Sequence, residues 1–412
     1  MAKLALVTFG SAGDVHPMLA MGRHLLSRGH EVVLVSNPAF ANDAARAGLA
    51  FQPVGTVDDL QATIAHPKLW HPVDGFGVMW RYLLRPALEP TYQALDRLAG
   101  EGCRLVLASP VAMGARVAQE KIGLPLVSVY TAATMLRTVH DPMTIAQWRV
   151  PAWVPTPARR LAWRLLDQHK LQPLVLPALE RLRAGLGLAP IEQSVFGQWV
   201  HSPTAGVALF PPWFAAAAPD WPRQVVQAGF PLHDEEAALP EALYRFLDAG
   251  PAPVVFMPGT ASREDAGFYQ AAVRACHETG QRGVLLGTLP NQLANGLPPA
   301  VLAQAYASFA SLLPRSLALV HHGGIGTCAQ ALHAGIPQLV VPQAYDQFDN
   351  AMRIERLGVG EELKHDDVSA IGRRLGRLLA SPAVARACAA WAPKVRPDGA
   401  LEAVADVVER LA

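Results

Sequence analysis

The run His321-His322-Gly323-Gly324-Ile325-Gly326-Thr327, followed nineteen residues after Thr327 by Asp346-Gln347, has the residue types needed to hold a phosphorylated sugar. Leu317–Val320 reads as a buried strand. The glycines after it let the backbone turn tightly and approach a ligand. A helix expected over Thr327–His333 would aim its free N–H groups and positive dipole end at a phosphate. His321 adds a donor at the mouth, and a nearby diphosphate favours its charged form. His322 is read as structural. A second apolar strand, Gln338–Val341, leads into Pro342–Asn350, which carries a carboxylate and amides suited to sugar hydroxyls. Asn350 falls one helical turn beyond Asp346, so both are placed on one face. One glycine-rich turn is weak evidence, whereas this combination is specific. The plainer alternatives are a buried histidine pair in an ordinary strand–loop–helix and, for Asp346, a helix N-cap.

A second constellation follows the first apolar run: Gly10-Ser11-Ala12-Gly13-Asp14-Val15-His16-Pro17. Pro17 suits the first position of a helix over Pro17–Arg28, where its missing N–H costs nothing. Asp14 is then expected in the loop before that helix, with Ser11 and Gly13 beside it. A carboxylate in a poorly hydrated crevice has a raised pKa and becomes a better general base. The competing role for Asp14 is to hold loop N–H groups. His16 is the rival base and ranks below it.

The elements that must position these residues are those of an α/β protein. Lys3–Phe9, Glu31–Ser36, Arg104–Ser109 and Leu124–Tyr130 read as strands, with helices over Pro17–Arg28 and Met113–Ile122. Such alternation implies a parallel sheet covered on both faces, with ligands at the C-terminal ends of its strands. Residues 148 to 221 break the pattern and hold six of the nine tryptophans. A second alternating half follows, with strands at Pro253–Pro258, Arg282–Gly287, Leu317–His321 and Gln338–Val341. Its helices are expected at Glu264–Thr279, Thr327–His333, Phe348–Leu357 and Asp366–Leu379. The 412 residues divide as an N-terminal domain over 1–211, a linker over 212–240, a second domain over 241–395 and a final helical stretch, 396–412. Leu401–Leu411 is the candidate to return to the first domain.

Composition excludes several classes. A net charge of +1 with 17% charged residues offers no nucleic-acid footprint. The four cysteines fit no zinc spacing and read as reduced thiols of a cytoplasmic protein. No signal peptide is expected at the N-terminus. No run approaches the roughly 20 apolar residues of a membrane span, so any membrane contact is expected to be peripheral.

The span His321–Gly360 resembles the donor-binding signature of family 1 glycosyltransferases. The resemblance implies the GT-B fold, two Rossmann-like doubly wound domains facing across a cleft. It places a diphosphate against His321 and the backbone of Gly323, Gly324, Gly326 and Thr327. It puts the donor sugar at Asp346 and Gln347, and the acceptor's base at Asp14, matching members with Gly-Asp-Val in this loop. Gly259-Thr260 matches a phosphate-side loop or is a simple strand-ending turn, and Tyr306 and Phe309 fall where the plant enzymes of this family have a base-binding tryptophan and glutamine, with Tyr306 the residue able to stack on the base. Preorganised N–H groups replace a metal in this scheme, so no metal or cofactor is expected beyond the nucleotide-sugar co-substrate. Ala329 stands where many UDP-sugar enzymes have a ribose-binding glutamate, which favours a dTDP-sugar.

Further likeness lies in Pro67-Lys68-Leu69-Trp70, Phe76-Gly77-Val78-Met79-Trp80 and Gln198-Trp199-Val200-His201-Ser202-Pro203. It extends to Phe210–Phe214, Gly229-Phe230-Pro231-Leu232 and Asp346–Ala351. These segments resemble the rhamnosyltransferase branch that serves rhamnolipid synthesis. That likeness implies inverting transfer of L-rhamnose from dTDP-L-rhamnose to a 3-hydroxyacyl lipid, after a partner enzyme that makes the lipid. The Trp-, Phe-, Leu- and Pro-rich stretches 65–90 and 140–221 suit an acyl channel or a membrane surface, and equally ordinary core packing. The alternative is a UDP-sugar enzyme acting on a sterol, polyketide or other aglycone. A nucleotide-sugar epimerase or a non-catalytic nucleotide-sugar-binding partner is disfavoured by the Asp14, His321 and Asp346-Gln347 set.

Overall fold

The computed structural model describes residues 1–71, 74–144, 148–233, 238–259, 266–290, 293 and 296–412, with 365 and 366 described in backbone only. The chain forms two compact units. The first comprises 1–143, 148–231 and 397–412, and the second 144–147 and 232–396.

In the first unit, apolar runs form seven parallel strands: β1 (Lys3–Val7), β2 (Glu31–Ser36), β3 (Ala50–Pro53), β4 (Cys103–Ala108), β5 (Leu126–Tyr130), β6 (Ala205–Ala208) and β7 (Val225–Gln227). They lie in the order β3-β2-β1-β4-β5-β6-β7. Leu4, Leu6, Leu105, Leu107, Val127 and Val129 are wholly buried, as expected of a parallel sheet covered on both faces. The order reverses between β1 and β4, and such a switch point opens a crevice at the strand ends.

The last helix, Pro397–Glu409, packs on the helix Ala12–Ser27 and contributes Val404, Ala405, Val407 and Val408 to this unit's core. Arg28 reaches Glu409 through its Nε at 2.9 Å, and its Nη1 lies 3.3 Å from Glu402.

The second unit has six parallel strands: β8 (Val254–Met257), β9 (Gly283–Leu286), β10 (Val301–Gln304), β11 (Ala318–His321), β12 (Gln338–Val340) and β13 (Gly360–Glu362). Their order is β10-β9-β8-β11-β12-β13, so this sheet's switch point lies between β8 and β11. The two sheets are those of two Rossmann-like domains. Among the described residues no helix is long and apolar enough to cross a membrane.

Several boundaries differ from the sequence reading. The stretch 212–240 is not simply a linker, because β7 within it pairs with β6. Thr144 leaves its neighbours and joins the second unit, where its backbone N–H donates to Asp349 Oδ1 at 3.0 Å. The first helix begins at Ala12 rather than Pro17, so Pro17 lies inside it. The Asp14 carboxylate accepting from Ser11 closes the first turn five residues early. The helix after the glycine run begins at Ile325, two residues before the expected start. Within 148–221, where the alternation breaks, the chain forms a π-turn over Asp167–Leu171 and an α-helix over Gln172–Gly185. The short strands β3, β6, β7, β10 and β13 had not been expected.

Candidate active site

Each switch point carries one of the two constellations. At the end of β1, Gly10 turns with φ +141°, and any Cβ there would overlap the Asp14 carboxylate. This glycine lets Asp14 fold back over the turn. Asp14 Oδ2 accepts from Ser11 N at 2.9 Å and from Ser11 Oγ at 3.3 Å. Oδ1 has no partner among the described residues. The residue is half-buried in the first turn of Ala12–Ser27, not in the loop before it. Burial pushes its pKa above the ordinary 3.8, and the two Ser11 bonds pull against that shift. Asp14 therefore both holds a loop N–H and keeps one oxygen available. Ser11 and Gly13 are exposed beside it, and His16 is partly buried two residues on.

At the other switch point, Gly259 lies two residues beyond β8, and His321 ends β11 with His322 just after it. His321 is 0% exposed. Its Nδ1 accepts from Gly323 N at 3.1 Å and its Nε2 meets Gln338 Oε1 at 3.1 Å. That pairing fixes the neutral tautomer with the proton on Nε2. Burial lowers its pKa to about 3.

His321 is thus sealed inside and holds the glycine turn. The expectation that it presents a donor to phosphate is corrected by this burial. His322, read from sequence as structural, is the partly exposed ring. It occupies space left by two glycines: a Cβ at Gly259 would lie 3.0 Å from its Cγ, and one at Gly324 2.6 Å from its Nε2. Its Nδ1 has no hydrogen-bond partner among the described residues, and burial lowers its pKa to about 4.

Gly323 has φ +92°, and a Cβ there would sit 2.7 Å from Val340 Cγ1, so only glycine makes this turn. Gly324 is the N-cap of the helix Ile325–Ala334. The N–H groups of Ile325, Gly326 and Thr327 belong to its first turn and lack intrahelical acceptors. Gly326 is exposed and Thr327 half-buried, so this turn is open at the strand ends. Ala329 is 1% exposed, inside the helix's packed face.

The loop after β12 is held by the residues expected to bind sugar. Gln347 Oε1 accepts from Gln343 N at 2.8 Å and Ala344 N at 3.1 Å, leaving Nε2 as its remaining donor. Asn350 is 0% exposed and donates from Nδ2 to Gly323 O at 2.9 Å and Asp346 Oδ2 at 2.7 Å. Asn350 therefore ties this loop to the glycine turn; burial removes it from any ligand face. Asp346 stands at the N-cap position without capping through its side chain, and it remains partly exposed.

Tyr306 follows β10 and is 66% exposed. Phe309 packs against the core, in a helix capped by Ser308. Thr260 lies outside the described residues.

Three residues escaped the sequence reading. Gln338 fixes His321, Asp349 fixes Thr144, and Tyr345 turns the loop after β12 with φ +53° at 37% exposure. Only the polar type of Gln338 in an apolar strand was a signal.

Residues 4–140 match the glycosyltransferase family 28 N-terminal domain, and 286–410 match the erythromycin biosynthesis protein CIII-like C-terminal domain. Glycosyltransferase GtfE of Amycolatopsis orientalis is 30% identical over 88% of this chain and 86% of its own length. O-mycaminosyltylonolide 6-deoxyallosyltransferase of Streptomyces fradiae is 29% identical over 86% of this chain and 84% of its own. The crystal structure of glycosyltransferase VinC in complex with dTDP shares the fold at TM-score 0.71 and 21% identity, covering 99% of this chain and 98% of VinC. With both domains matched and a 30% identical relative along most of its length, the chain belongs to the GT-B-type glycosyltransferases that join a family 28 N-terminal domain to an erythromycin biosynthesis protein CIII-like C-terminal domain.

Proposed function

We propose that the protein is an inverting, metal-independent glycosyltransferase that moves a deoxyhexose from a dTDP-sugar to the hydroxyl of an apolar acceptor. The observation that carries this reading is the half-buried Asp14 carboxylate at one switch point, with one oxygen unpaired and its pKa raised. Asp14 takes the acceptor's proton as the hydroxyl oxygen attacks the anomeric carbon. The bond from that carbon to the diphosphate oxygen breaks, and the electron pair leaves with the nucleotide. The open N–H groups of Ile325, Gly326 and Thr327 and the His322 ring receive the developing charge. Asp346 and the Gln347 amide hold sugar hydroxyls. Tyr306 stacks on the base. β10 and β11 are three strand spacings apart, on the order of 14 Å, a separation a nucleoside diphosphate can bridge.

For the donor, the favoured sugar is L-rhamnose and the favoured acceptor a 3-hydroxyacyl lipid. The likeness of the middle segments to the rhamnolipid branch supports both. The dTDP bound to VinC supports the nucleotide. A macrolide-type aglycone is the second reading, favoured by the name of the Streptomyces fradiae relative. The test offers dTDP-L-rhamnose and UDP-glucose, without metal, with a 3-hydroxyacyl lipid and with a macrolide aglycone, and reads products by mass spectrometry. Rhamnosylated lipid is the expected product. Rhamnosylated macrolide alone would move the acceptor to the second reading, and transfer from UDP-glucose alone would remove the dTDP preference.

The two histidines separate in a paired experiment. His322→Ala is expected to weaken dTDP binding about 10- to 100-fold, the value of one charge-assisted hydrogen bond, with little change in melting. His321→Ala strips partners from Gly323 N and Gln338 and is expected to cost about 1–3 kcal/mol of stability. Equal loss of nucleotide affinity in both, with melting unchanged, would return His321 to the phosphate.

A further inference from the structure

In the first unit, one segment displays exposed apolar side chains. The helix Thr156–Leu166 has no buried residue. Its inner side is nonetheless anchored. Arg159 Nη1 donates to Val139 O at 2.8 Å, and Trp163 lies under the Arg137 guanidinium at 4.6 Å. The outer side carries Leu161 and Leu165, one turn apart, at 55% and 46% exposure. Ala158 and Ala162 extend that stripe, and the exposed Arg160 and Arg164 border it.

The chain leading into this helix adds Trp148 at 66% and Trp153 at 81% exposure. Trp153 sits in a turn closed by Val154 N donating to Pro151 O at 3.1 Å. Arg159 Nη2 holds that turn through Ala152 O at 3.0 Å. The tryptophan is therefore displayed by a pinned turn. From 142 to 166 the sequence has four arginines and no carboxylate, in a chain of net charge +1.

We propose that residues 148–166 form a docking surface for an anionic lipid bilayer. A short helix with an apolar stripe bordered by arginines, beside exposed tryptophans, fits the boundary between acyl chains and headgroups. The leucines and Trp153 enter the boundary, while Arg160 and Arg164 remain at the level of the phosphates. Charge selects the partner. An apolar ligand alone would gain nothing from the arginines, and a second copy would bring the same positive charge against them. The surface lies outside both constellations, so its failure would leave the proposed transfer reaction standing.

The test is cosedimentation of the full chain with phosphatidylcholine vesicles, with and without phosphatidylglycerol. Binding is expected to the anionic vesicles and to fall as salt rises. Trp153→Ser with Leu161→Gln and Leu165→Gln should lower the partition coefficient about tenfold or more on both vesicle types. Arg160→Gln and Arg164→Gln should each lower it roughly fivefold on anionic vesicles alone. Thermal melting of each variant checks that folding is intact. Absence of binding to anionic vesicles, or binding indifferent to all five substitutions in folded protein, overturns the proposal. So does a concentration-dependent dimer that the leucine substitutions dissociate, which would give the face to a second copy.

Discussion

Asp14→Asn is expected to lower kcat by about a hundredfold to ten-thousandfold, the range for loss of a positioned general base. Nucleotide affinity should be unchanged, because the groups proposed to hold the diphosphate belong to the other unit. Asparagine can still accept from Ser11 N, so the turn survives and the loss reports on chemistry. The pH dependence has a definite sign. Burial raises the folded pKa of Asp14, so the acid limb of kcat/KM lies above the ordinary carboxylate range. Activity is lost as pH falls through that raised value.

Linkage gives a second readout. An acid whose pKa is raised on folding contributes stability below its unfolded value, and that contribution vanishes as pH rises through the folded one. At neutral pH the ionised carboxylate is a liability. Asp14→Asn should therefore melt higher than the parent at pH 7 and lose that advantage below about pH 4. Gly10→Ala provides the companion test. Its Cβ would occupy the place of the Asp14 carboxylate, so kcat should fall while Asp14 is still present. Wild-type kcat in Asp14→Asn would remove Asp14 from the chemistry.

The long apolar strands were legible because burial on both faces needs near-continuous apolar residues, mostly Val and Leu in β1, β2, β4 and β5. The five unexpected strands are short, and their composition masks them: β3 is Ala-Phe-Gln-Pro and β13 is Gly-Glu-Glu. They form because a neighbouring strand pairs with them, which no local pattern announces. Pro17 misled the reading of the first helix. Its fixed φ suits a helix start, yet the Ser11–Asp14 contacts set the start five residues earlier.

The glycine turn and the loop after β12 were legible as motifs. The division of labour within them was not. Adjacent residues at the end of a strand point to opposite faces, so His321-His322 says that one ring is inside and one outside without saying which. In the structure His321 turns inward to Gln338, and His322 remains partly open. Gln347 and Asn350 show the same difficulty. Their amides suit sugar hydroxyls, and in the structure most of their hydrogen-bonding capacity holds the loop itself. The sequence shows which polar groups a ligand needs; it does not show which of them the backbone takes first.

Asp349→Asn is expected to be the most destabilising conservative change in the second unit. Asp349 is 0% exposed, and its Oδ2 meets Arg353 Nε at 2.7 Å, with Arg353 only 6% exposed in its side chain. Its Oδ1 accepts from Thr144 N, the point at which a stretch of the N-terminal half enters this unit. Removing the negative charge takes from a buried guanidinium the carboxylate 2.7 Å away, at a cost of about 3–5 kcal/mol. For a unit of this size the melting temperature should fall by on the order of 10 °C. Arg353→Met alone should also destabilise, by leaving the carboxylate buried and unpaired. The double variant Asp349→Asn, Arg353→Met should be more stable than the sum of its single losses, because the two groups touch and their losses are then coupled. The consequence for function follows from position. Asp349 lies between Gln347 and Asn350 on the helix Gln347–Leu357, and those two residues hold the loop after β12 and Gly323 O. A loosened first turn should therefore weaken donor binding, and saturating dTDP should recover part of the lost melting temperature by binding only the folded state. Single variants that melt as the parent does would show that solvent reaches this pair and that the structural weight lies elsewhere.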